Sequence, residues 1–178
     1  MPPRAHLVTG VLFGAALAAL PGTTACSRGA CPSCGKPRAE GTLEHPELIE
    51  LSGVAVSGVF TDVFYAHNDS GDRSRLFAFD RTGKHLGILE IDDAANDDWE
   101  DIASGPCDDK RCLYIGDIGD NDHDRPFYTL YRVIEPSAIV PDGQTLASER
   151  FDFVYEDGPH DAEVLLVHPV TGAVTIVT

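Results

Sequence analysis

The chain has 178 residues, with 29 Asp and Glu against 13 Lys and Arg, a formal net charge of −16 and 43% hydrophobic residues. A field of that sign excludes electrostatically driven binding to nucleic acid or to anionic lipid and makes cations the natural partners. The hydrophobic fraction is that of a folded chain rather than of a disordered polyanion.

In chain order, Arg4 and His6 precede an apolar run, Leu7–Leu20, which breaks at Pro21-Gly22. This is the order of a secretory signal, expected over residues 1–25. The run falls short of the roughly 20 residues that a membrane-spanning helix needs. Thr23-Thr24-Ala25-Cys26 resembles the lipobox of bacterial lipoproteins, which makes Cys26 the lipidation candidate; Thr23 stands where Leu is usual, so plain cleavage after Ala25 is the alternative. Five cysteines are an odd number for an exported chain, and giving Cys26 to lipid leaves four that can pair. Residues 26–46, rich in Gly, Pro, Cys and Ser, read as a tether. Within it, Cys31-Pro32-Ser33-Cys34 is half of a zinc ribbon whose other half is missing, so a small disulfide or a free pair is expected there.

From about residue 47 the pattern is all-β. Leu51–Val56, Val63–Ala66, Arg75–Phe79 and His85–Ile91 are β-branched or aromatic runs separated by Gly, Asn, Asp and Thr. Asp80-Arg81-Thr82-Gly83-Lys84 predicts a hairpin turn with Gly at a positive φ. Cys107 and Cys112 bracket the polar turn Asp108–Arg111, where a disulfide would staple a second hairpin.

The runs also recur. Trp99–Gly105, Leu113–Gly116 and Thr129–Val133 match segments of the first set, and Asp69-Ser70-Gly71-Asp72 returns 48 residues later as Asp117-Ile118-Gly119-Asp120. A third copy opens at Asp161-Ala162-Glu163. A period near 50 residues with about four strands per unit predicts a partial β-propeller over 47–178, about two and a half four-stranded blades at 47–95, 96–158 and 159–178. Propellers close with about 4 to 8 blades, so the reading frame is expected to be a fragment of a longer one. A small β-sandwich fits the strand count but not the recurrence.

Meander geometry brings the start of each unit's first strand next to the turn after its second. Glu50, Glu100 and Glu163 hold the first position and Asp69, Asp72, Asp117 and Asp120 the second, joined by His67, Asn68, Asp97, Asp98, Asp101, Asn121, Asp122 and Asp161. Crowded carboxylates raise one another's pKa unless a cation compensates, and hard oxygen donors suit Ca²⁺. Asp69, Asp72, Glu100, Asp117, Asp120, Asn121 and Glu163 are the expected ligand set, with corner-turn chemistry alone as the competing reading. Asp117–Asp122 lacks the distal Glu and the flanking helix of an EF-hand. Trp99 is expected to pack between units, and His67 and His160 to be hydrogen-bonded structural histidines.

His67–Asp72, Asp98–Ala103, Tyr114–Asn121 and Asp161–Glu163 together resemble a set of uncharacterised bacterial secreted β-propeller proteins, distantly similar to the esterase-like phytase group. The resemblance implies a propeller with an acidic face and suggests calcium. The expected function is an exported, lipid-anchored binding or scaffold module at the outer membrane, periplasm or cell surface, otherwise secreted, with an envelope protein or a phosphate ester as possible partner. The alternative is a calcium-dependent phosphoesterase in which Glu100 or Asp117 supports an attacking water.

Overall fold

The computed structural model describes Lys36 and residues Arg38–Thr178. The signal, Cys26, Cys31 and Cys34 lie outside the described residues. Ten strands and no helix occur among those described: β1 (Leu51–Val56), β2 (Val63–Asn68), β3 (Arg75–Asp80), β4 (His85–Asp92), β5 (Trp99–Cys107), β6 (Lys110–Asp117), β7 (Tyr128–Ile134), β8 (Gln144–Phe153), β9 (Val164–Val167) and β10 (Val174–Val177). The expected turn at Asp80–Lys84 is present, with Gly83 at φ 88° and the Asp80 carboxylate accepting the Thr82 and Lys84 amides at 2.8 and 3.2 Å. Cys107 and Cys112 form a disulfide across the β5–β6 hairpin, their Cα atoms 5.7 Å apart.

β1–β4 and β5–β8 are two antiparallel meanders, but they are not separate sheets. The first residues of β8 pair in parallel with β4 (Leu89 opposite Gln144, Asp92 opposite Ala147), and the rest pairs antiparallel with β7. The result is one eight-stranded sheet in the order β1-β2-β3-β4-β8-β7-β6-β5. It curls until β1 lies beside β5, where the Ser52 hydroxyl donates to the Glu100 carbonyl at 2.9 Å, so the sheet is barrel-like and nearly closed. β8 was not legible as a strand; six of its ten positions are exposed, and its polar residues hide the alternation.

Strand register shows how the units stack. In the first meander Ala55, Tyr65 and Ala78 are cross-strand partners on one face, and in the second Ile102, Ile115 and Tyr131 are. These two sets meet in a common core with Leu76, Leu89, Leu113 and Val133. Burying such a core stabilises by roughly 1.5–3 kcal/mol for each large side chain. The second meander's other face, carrying Tyr114 and Cys112, packs on Leu165, Val167, Val174 and Ile176 of the β9–β10 pair.

The same register moves the internal correspondence by one residue from the D-x-G-D alignment. Leu51 pairs with Asn68 before a bulge, and Trp99 pairs with Asp117 before a matching bulge. Asn68 is therefore the counterpart of Asp117, Phe64 of Leu113 and Glu50 of Asp98. Side-chain bonds agree: Asn68 Oδ1 accepts the Ile49 and Glu50 amides, both at 3.1 Å, as Asp117 Oδ1 accepts the Asp98 amide at 3.0 Å. A one-residue slip exchanges the two faces of a strand, so the correspondence decides which face meets which neighbour.

Candidate metal centre

Trp99 anchors the site. It is fully buried, its Nε1 donates to the Ala95 carbonyl at 2.7 Å, and its ring packs edge-on to His67 and against Tyr131. With Trp99 turned into the core, Asp98 and Glu100 on either side of it lie at the mouth of the β1–β5 seam. Asp69 arrives from the end of β2, its amide bonded to the Glu50 carbonyl at 2.8 Å. Asp161 and Glu163 arrive from the segment before β9; the Asp120 amide donates to Asp161 Oδ1 at 2.7 Å, and the Ala162 amide to the Ile118 carbonyl at 3.3 Å.

Two groups of carboxylates result. One oxygen each from Asp69, Asp98 and Glu100 lie within 4.8 Å of one another, and so do oxygens from Glu100, Asp161 and Glu163. Glu100 belongs to both and is 8% exposed. Ser52 Oγ stands 3.3 Å from Glu100 Oε2. Gly119 closes the other side: its φ is not in the left-handed region, and a Cβ there would overlap the carboxylate oxygens of Glu100 and Asp98. Gly is needed here for close approach.

Burial, then the nearby Glu163 carboxylate, push the Glu100 carboxyl up to about 8. Burial followed by Asp69, with Arg125 opposing, raises Asp98. The arrangement is costly when fully ionised, and a hard divalent cation would reverse the sign of that cost. A cleft of about 560 Å³ opens beside it, lined by Ser70, Asp97, Asp98, Asn121, Arg125 and Phe127 among others.

Of the ligand set expected from sequence, Asp69 and Glu163 each meet Glu100, in different groups. Asp72, Asp117 and Asp120 lie outside both groups among the described residues. Asp72 is held by Arg75 at 2.7 Å and by Asn68 at 2.8 Å. Asp117 is 1% exposed and bound by Arg125 at 2.8 Å; burial raises its pKa against the pull of that guanidinium. Asp120 accepts the Tyr128 hydroxyl at 2.6 Å and the Asp124 amide at 3.0 Å, donors that lower its pKa in spite of desolvation. Asn121 is exposed. Asp98 and Asp161 complete the two groups, and the signal for them was the repeated D-x-E of Asp98-Trp99-Glu100 and Asp161-Ala162-Glu163. Glu50, the counterpart of Asp98, is exposed and belongs to neither group. Of the two residues considered for water activation, Glu100 is central and Asp117 is engaged by Arg125.

His67 is fully buried; its Nδ1 lies 2.8 Å from the Asn68 carbonyl, and its Nε2 has no partner among the described residues. Burial lowers its pKa, so the ring is neutral and Nδ1 is the donor. His160 Nε2 is paired with Asp157 at 2.8 Å.

No protein-family model, no curated protein and no solved structure matches the chain.

Proposed function

We propose that this protein is an exported, lipid-anchored binding module of β-propeller type that holds a hard divalent cation, calcium foremost, between Asp69, Asp98, Glu100, Asp161 and Glu163. The observation that carries the reading is the buried carboxylate of Glu100, shared by two carboxylate groups contributed from three successive units. Head-to-tail stacking of those units, each presenting one face to the next, supports the propeller reading. The cation fastens the start of β5, the end of β2 and the lead into β9 to one another, and the neighbouring cleft then serves as the contact surface. Binding is favoured over phosphoester hydrolysis because Arg125, the cation beside the site, is engaged by Asp117 and the Gly119 carbonyl, both at 2.8 Å, and has little left to give a phosphoryl group.

Isothermal calorimetry of the full chain with Ca²⁺ and with Mg²⁺ tests this. One saturable calcium event that Glu100→Gln removes is expected. No heat at millimolar calcium, or equal heat from Glu100→Gln, overturns it.

A further inference from the structure

Residues 38–48 run as a strap across the outer face of the first meander, the face turned away from the shared core. Phe77 lies on that face, since its neighbours Leu76 and Ala78 belong to the core. It is nevertheless only 1% exposed. The Arg75 guanidinium stands 4.7 Å from its ring centroid, and the His45 ring of the strap packs on it at 5.0 Å. His45 packs in turn on His85 of β4, ring centroids 4.5 Å apart. His85 Nε2 is 2.9 Å from Asp142 Oδ1, which also accepts the Ile88 amide at 3.1 Å.

Two kinds of tie hold the strap. Its last residues are clamped: Asn68 Nδ2 donates to the Glu47 carbonyl at 2.7 Å, and Arg75 is salt-bridged to the Glu47 carboxylate. The earlier residues hang on two backbone bonds to the β3–β4 turn, from Thr42 to Thr82 and from Glu44 to Gly83, both 3.1 Å, and on the seat of His45. That seat requires a neutral ring. His45 Nδ1 accepts the Glu47 amide at 3.3 Å, and an imidazolium has no lone pair to offer. The surroundings also oppose a charge there. Arg75 and, once protonated, His85 face the ring as cations; the opposing carboxylates are Glu47, engaged by Arg75, and Asp142, engaged by His85. Glu44 and Lys84, adjacent in sequence to the two histidines, are exposed. Burial, then His85, hold the His45 pKa below its ordinary 6.5.

We infer that residues 38–45 are an acid-released strap: protonation of His45 unseats them from Phe77 and His85, while the clamped Glu47 remains as the hinge. The device is separate from the carboxylate groups around Glu100 and stands without them. Above 6.5 the seated and the free imidazole are both neutral, and the strap is held in full. As pH falls the free ring gains a proton that the seated ring refuses, and closure weakens until the lower seated value is passed. Release uncovers Phe77 and takes Leu43 away from a groove of about 530 Å³ that it shares with Leu51, Val54, Phe64 and Phe79. The charged rim of the groove changes too, since Arg38 and Glu40 belong to the strap whereas Asp80 and Arg81 stay with the sheet.

Amide hydrogen exchange of the full chain, read residue by residue by NMR at about pH 7.5 and about pH 5 and expressed as protection over the unstructured rate, tests this. The Thr42 and Glu44 amides are expected to lose protection in acid, by about tenfold for every pH unit over which the free imidazole is protonated and the seated one is not. Leu113 and Ile115 of β6, buried in the core, are expected to keep theirs, which separates release of the strap from acid unfolding. His45→Phe keeps an aromatic ring on Phe77 and takes up no proton, so Thr42 and Glu44 are expected to stay protected at both pH values. His45→Lys carries the charge at both, and is expected to leave them unprotected even at the higher pH. Equal wild-type protection at the two pH values overturns the inference, as does a loss that the β6 amides share, a loss in His45→Phe as large as in wild type, or full protection in His45→Lys.

Discussion

Replacing Glu100 by Gln has opposite effects with and without metal. Without metal, the Glu100 carboxyl has a folded pKa of about 8 against an ordinary 4.5, because burial and Glu163 oppose its ionisation. A carboxyl whose pKa is raised on folding destabilises the fold above its unfolded pKa. The penalty grows as pH rises from about 4.5 and levels off above about 8. At about 1.4 kcal/mol per pH unit, up to about 3 kcal/mol is at stake near neutrality. Gln cannot ionise, so Glu100→Gln recovers this amount, and the metal-free variant melts on the order of 6–12 °C above wild type. Its advantage shrinks as pH falls toward 5. With calcium present, wild type gains about 2.7 kcal/mol when free metal is about 100 times its dissociation constant, and the variant gains little. Scanning calorimetry with chelator and with calcium at several pH values reads both effects. A metal-free variant that melts below wild type, or a calcium gain equal in the two, refutes the reasoning.

Glu135 ties the second meander to the β1–β2 turn, accepting Gly58 and Val59 amides at 3.0 and 3.4 Å, the Tyr65 hydroxyl at 3.3 Å and the Ser57 hydroxyl; Glu135→Ala strands these donors and is expected to cost about 3 kcal/mol in urea melts. Gly119→Ala displaces the Glu100 and Asp98 carboxylates, and calorimetry is expected to show the calcium heat lost. Asp72 is desolvated, which raises its pKa, but hydrogen bonds from Arg75 and Asn68 lower it overall. Its contribution is complete above its ordinary 3.8 and fades as pH falls through the lower folded value, so Asp72→Asn narrows the stability gap to wild type only in acid, as acid-melting curves will show. Metabolic labelling with a fatty acid is expected to mark the wild-type chain and not Cys26→Ser; absence of label from both points to plain secretion.

How far the sequence carried depends on the range of the interaction concerned. Most strands were legible because alternation and turn residues act within a few positions: β1 spans Leu51–Val56 as read, and the Gly83 turn follows from Asp80 capping its own neighbours. The Cys107–Cys112 bridge is of the same local kind. The acidic character of the site was legible too, because D-x-E and D-x-G-D repeat in a chain with few cations. Pairing across the molecule decided the rest. Which carboxylates converge was set by strand pairing: Leu51 opposite Asn68 and Trp99 opposite Asp117 move the repeat by one, and Asp117 is taken up by Arg125. The fusion of two meanders through β8 was equally hidden, because its parallel partner β4 lies more than 50 residues away and its own residues are half exposed. Local chemistry thus chose strand, turn and charge. Only the tertiary structure determined which of many equivalent carboxylates lost their water together, since desolvation belongs to the packed assembly and to no single residue.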